Sequence, residues 1–146
     1  MTMWLACHGR LATRQRLFRF GMVSDNRCCL CKSDEESINH LLFVCPDTVC
    51  IWAKILAWIQ VSHTPQSWDA EILWLSKNTN GKGWRASILK LAAAETIYSV
   101  WKYRNDICFG NAVDKAKIVD NIIDIIVYRG WYSKNLRPHI AKLMAF

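Results

Sequence analysis

No stretch of this 146-residue sequence approaches the ~20 consecutive apolar residues that a membrane-spanning helix needs. Residues 1–16 lack a charged start followed by an apolar run, so no secretory leader is expected. Gly-rich phosphate loops and Ser-His-Asp spacings are missing too, and no pair of carboxylates stands out as a polymerase or nuclease metal site. Asp34, Glu35 and Glu36 are adjacent in a polar stretch and read as solvated charge. These absences argue against an enzyme. They also point to an intracellular chain, nuclear or cytoplasmic, with no membrane contact.

What the chain has is apolar residues, at 52%, with eight tryptophans and seven cysteines. That is enough apolar material for a real core and argues against disorder. So many indoles must be buried or used for contact. An odd number of cysteines without a leader fits a reducing compartment better than a disulfide framework.

Four of the soft side chains fall in one stretch, CCLCKSDEESINHLLFVC, residues 28–45. Cys28, Cys31, His40 and Cys45 form C-x2-C-x8-H-x4-C, a donor set suited to tetrahedral Zn²⁺. Cys29 and Cys31 have only one residue between them, too close for a knuckle, so Cys29 is read as a spare thiol. Ile38, Leu41, Leu42 and Phe43 give a short amphipathic turn carrying His40. Pro46 disfavours helix at Cys45 and opens a new helix of its own. Both later donors thus sit near a helix junction, where a side chain can turn toward an ion. Four protein donors leave no open position for a reacting water, so one structural Zn²⁺ is expected.

The net charge of +7 is uneven: residues 1–32 carry +5, residues 33–80 carry −4, and residues 81–146 carry +6. Basic flanks suit a polyanionic partner, or serve as a solubilising surface. Thr13 is placed to cap a helix that runs to Gly21. Leu17 and Phe20 are expected to face inward on it, leaving Arg14, Arg16 and Arg19 outside. With Arg10 and Arg27 these arginines could hold phosphates, since a guanidinium pairs two oxygens at once. An ordinary solvated face is the competing reading.

Helical periodicity is expected over 46–60, 68–75, 84–108 and 113–131, the last two as an antiparallel pair. Along 84–108 the apolar stripe is Trp84, Ile88, Leu91, Tyr98 and Trp101. KNTNGKG, residues 77–83, reads as a linker. This gives a mainly α protein with a small Cys3His zinc-knuckle lobe over 1–76, a linker over 77–83 and a helical region over 84–146. Trp101, Lys102, Tyr103 and Arg104 alternate aromatic and basic residues. Such a run is either a single-strand stacking platform or core aromatics with cations reaching outward, and the second reading is preferred. Residues 128–140 read as a fraying tail.

RLATRQRLFRFG, CCLC, ESINHLLFVCP and IWAKILAWI, in that order, resemble the zinc-binding reverse-transcriptase domain at the C-terminal end of plant LINE-type, non-LTR retrotransposon proteins. VWKYRNDICFG, residues 100–110, is similar to the I-W-x-x-R-N-x-x-x-F tail of the same proteins. The resemblance implies a non-catalytic module that holds RNA or single-stranded DNA beside a polymerase. It covers none of the family's polymerase region. The apolar start of the chain reads as a fragment, an internal-start gene model or a recruited stand-alone protein. A protein–protein interaction module, domesticated or decayed and still holding structural zinc, is the reading from another class.

Overall fold

The computed structural model describes residues 1–145. Seven α-helices account for most of them: α1 (Thr2–Cys7), α2 (Arg14–Arg19), α3 (Pro46–Trp58), α4 (Trp68–Asn78), α5 (Trp84–Cys108), α6 (Ile118–Trp131) and α7 (Arg137–Met144). A short wide turn, His40–Val44, leads into α3, and a 3-10 turn, Lys115–Lys117, leads into α6. No strand occurs among the described residues, only an isolated bridge between Arg27 and Glu35. None of the described helices is long and apolar enough to cross a membrane. The mainly α expectation holds.

Local chemistry explains most helix ends. The Thr13 hydroxyl accepts the Arg16 N–H at 3.4 Å, and Gly21 follows α2 at φ +68°, a left-handed position glycine adopts freely. Pro46 opens α3 at its first turn, where its missing N–H is no loss. The α4 helix runs three residues past the expected Leu75, to Asn78, so the 77–83 stretch begins inside it.

The long helix α5 is the centre of the molecule, packing against α1, α3, α4 and α6. Neighbours on several sides bury Ile88, Ala92, Ile97, Val100 and Tyr103, while Tyr98 stays 49% exposed. The single apolar stripe expected through Trp84, Leu91 and Tyr98 is therefore too narrow. A helix covered on several sides has no one wet face to make the pattern clean.

The α6 helix lies antiparallel to α5, with Arg129 Nη1 2.7 Å from Glu95 Oε1 near one end. At the other, Ile118 and Tyr103 share the lining of one pocket. Ile118, Ile122, Ile126 and Gly130, four apart, form its buried row. A Cβ on Gly130 would stand 2.6 Å from Ile140 Cγ1, so only glycine admits α7 this close. Ile140 and Leu143 are buried there. The expected fraying tail is instead a docked helix, because Pro138 in its first turn starts it and two apolar residues anchor it.

One hydrophobic core joins both ends of the chain. It holds Leu11, Leu41, Phe43 and Trp52 together with Ile88, Ile97, Ile122 and Ile140. The connector before α4 is fixed by buried Glu71. This carboxylate accepts Trp52 Nε1–H at 2.8 Å and the Gln66 N–H at 3.0 Å, and lies 2.5 Å from His63 Nε2.

Candidate metal centre

Two local devices bring four donors to one point. The first is the turn over 28–32, where Lys32 N–H bonds Cys28 carbonyl at 3.0 Å and Lys32 takes φ +59°. That turn puts Cys28 and Cys31 on the same side. The second is the wide turn: Ser37 Oγ accepts the His40 N–H at 3.0 Å, and Cys45 N–H reaches back five residues to His40 carbonyl at 2.6 Å. This i→i+5 geometry is rare and concentrates at functional positions. Cys45 then turns out of the helical region, at φ −55° and ψ 130°, as the residue before a proline should.

The outcome is a compact Cys3His cluster. One donor atom each from Cys28, Cys31, His40 and Cys45 lie within 4.8 Å of one another. Cys28 Sγ and Cys45 Sγ are 4.0 Å apart, and Cys31 Sγ is 3.3 Å from His40 Nε2. A tetrahedral ion with Zn–S near 2.3 Å sets donors roughly 3.7 Å from each other. The donor set and its spacing fit Zn²⁺, which here would close all four positions. Cys28, His40 and Cys45 are buried and Cys31 is half-buried, so little water would reach such a site.

The electrostatics agree. The Cys28 and Cys45 sulfurs share a hydrogen bond, and this is the main reason the Cys28 thiol is pushed down to about 5, against its burial. Backbone N–H groups of Cys31 and Leu30 help, the latter at 3.4 Å from Cys28 Sγ. The same bond, with burial, holds the Cys45 thiol above the ordinary range. One thiolate is thus already favoured, and binding a metal through all three sulfurs requires the Cys31 and Cys45 thiols to lose their protons as well. Asp34 Oδ2 stands 4.0 Å from His40 Nδ1, on the side of the ring facing away from the sulfurs. At that distance, and with Asp34 largely exposed, the carboxylate makes no hydrogen bond to the ring.

Three partners around the cluster were not legible from its spacing. Cys29 is no spare thiol: it forms a disulfide with Cys108 at the end of α5, 79 residues away. That also corrects the expectation of a chain whose cysteines are all thiols or metal ligands. Glu36 is not solvated charge either. It is fully buried, accepts Arg14 N–H at 2.8 Å and Cys29 N–H at 3.3 Å, and receives the guanidinium of Arg104 at 3.0 and 2.6 Å. Arg104 itself is buried rather than reaching outward, while Lys102 is exposed and Trp101 is half-buried with Arg104 Cζ 4.9 Å from its ring centre. The only sequence signal was that Glu36 and Arg104 each stand inside a motif of the resembled family.

The five arginines proposed for phosphate do not converge. Arg14 and Arg27 lie beside Asp25, at 4.0 and 3.2 Å, and with Lys32 line a 340 Å³ pocket next to Cys28 and the disulfide. Arg16 and Arg19 line a second, separate pocket of 530 Å³. Arg16 Nη1 donates to the Gly9 carbonyl at 2.8 Å. Arg10 lies 5.6 Å from the Trp4 ring centre and lines neither. Phe20, expected inside, is 67% exposed beside Arg16.

No curated protein and no solved structure matches this chain. A family model does, over a segment that contains all four donors. Residues 1–52, about a third of the chain, match the family described as zinc-binding in reverse transcriptase.

Proposed function

We propose that this chain is a non-catalytic module of retrotransposon-type reverse transcriptases, holding RNA or single-stranded DNA on a zinc-stabilised scaffold. The observation that carries the reading is a Cys3His cluster with arginines held by the same folded segment, Arg14 and Arg27 beside Asp25 and Arg16 on the Gly9 carbonyl. Arginines held by a folded scaffold lose less entropy on docking than those of a floppy tail. Phosphate contacts made this way are insensitive to base sequence and weaken with salt. With four protein donors the metal supplies folding energy and leaves no place for a reacting water.

The test is a titration of the zinc-loaded protein against single-stranded RNA at two salt concentrations. Replacing Arg14, Arg16 and Arg19 together by Gln should leave zinc content and folding unchanged. It should weaken binding similarly across sequences and reduce the salt slope by about two to three units. Wild-type affinity and slope in the triple variant would contradict the reading for this face. Salt-insensitive binding to one protein, with none to nucleic acid, would favour an interaction module instead.

A further inference from the structure

The exposed ring of Phe20 is an expensive thing to leave in water, and its surroundings have one chemical sign. Phe20 follows the last residue of α2 as its C-cap and is 67% exposed, with Met22 beyond it 70% exposed. Arg16 Cζ lies 5.5 Å from the Phe20 ring centre, so a guanidinium attends the ring without covering it. The guanidinium is itself held in place, donating to the Gly9 carbonyl at 2.8 Å. Beside the ring opens the 530 Å³ pocket, walled by Thr13, Arg16, Arg19, Phe20, Ser37 and Asn39 among others. None of the described residues lining it is acidic. An apolar ring, two cations and neutral hydrogen-bonding groups around one concavity match a flat aromatic heterocycle attached to phosphate.

We propose that Phe20 is a stacking platform for one base of a single-stranded nucleic acid, with Arg16 and Arg19 holding the flanking phosphates. This rests on the nucleic-acid reading above and goes further: it assigns a base-accepting site and a strandedness preference to one side chain. Duplex bases are already stacked on each other and offer no free face to a ring at the protein surface. Single strands do, and base–aromatic stacking tolerates any sequence because every base has a π-face. Phosphate contacts alone would bind both forms. The aromatic ring is therefore what separates them.

The experiment compares Phe20→Ala, Phe20→Leu and Phe20→Trp with wild type, in the full zinc-loaded chain. The probes are a short labelled oligouridylate and an RNA duplex of the same length, each titrated at two salt concentrations. Phe20→Ala and Phe20→Leu should each weaken single-strand binding by about 5- to 150-fold. Duplex binding and the salt slope should not move, and Phe20→Trp should restore single-strand affinity. Because Phe20 is largely exposed, all three variants should keep the wild-type thermal midpoint and zinc content. Unchanged single-strand affinity in Phe20→Ala, or equal loss for both probes, would overturn the stacking site while leaving the arginine reading intact. Wild-type protein that binds neither probe would overturn both.

Discussion

Cys28 and Cys29 are adjacent in the chain and are committed to different partners. Cys28 Sγ faces Cys45 Sγ at 4.0 Å inside the donor cluster, whereas Cys29 is bonded to Cys108 at the far end of α5. The knuckle is thereby tied to the central helix one residue away from its first metal donor.

That division can be counted. Alkylation of unfolded, chelated and unreduced protein should label five cysteines, namely Cys7, Cys28, Cys31, Cys45 and Cys50, out of seven. Prior reduction should raise the count to seven. Cys29→Ser should keep its zinc while losing stability to urea. A cross-link spanning 79 residues constrains the unfolded chain by at most roughly 4–5 kcal/mol on a chain-entropy argument. Seven labels without reduction would show that the bond does not form.

The Glu36–Arg104 pair makes a separate prediction. Both side chains are nearly inaccessible, at 0% and 5% exposure, so solvent does little to screen their interaction. Removing one partner strands a charge in the core. Arg104→Ala should therefore cost about 3–5 kcal/mol in urea unfolding. Arg104→Ala combined with Glu36→Gln should recover part of that loss, since the second change removes the uncompensated carboxylate. Arg104→Lys should not rescue, because a point-like ammonium cannot reproduce the two guanidinium bonds to Oε1. Additive losses in the double variant would show that the two groups are not coupled.

Metal removal is the third prediction. Protein purified with reductant should carry one Zn²⁺ per chain, and a strong chelator should lower its thermal midpoint, as expected when a metal binds only the folded state. Cys31→Ser should reduce both zinc content and midpoint. Cys7→Ser should change neither, because Cys7 is exposed on α1 and outside the cluster. Full zinc occupancy in a Cys31→Ser, His40→Ala double variant would remove this donor set from consideration.

The donor cluster was legible in the sequence because its geometry is local. Two turns within eighteen residues set it, and residue type with spacing encodes both. The longest helix was legible for the same reason, α5 running from Trp84 to Cys108 as expected, whereas α7 was missed because its anchoring depends on α6. What escaped depends on where distant segments meet. Glu36 looks like its exposed neighbours Asp34 and Glu35 until Arg104 arrives from 68 residues away. Cys29 carries no local mark of Cys108. Phe20 was assigned inward by helical spacing, but α2 ends at Arg19, and the ring follows the turn outward rather than the helix face.

The buried carboxylate also bears on how the chain can be divided. The segment recognised as a zinc-binding domain stops at Trp52 and contains every metal donor, so it invites excision as a minimal piece. A cut there would leave Glu36 without its guanidinium, Cys29 without Cys108, and Trp52 Nε1 without Glu71. Leu41 and Phe43 would lose the helices that now cover them. The matched segment and the set of contacts that hold it thus have different boundaries here. A recombinant piece meant to report on the metal centre needs α5 through Cys108, and the helices that pack on it, to keep those partners.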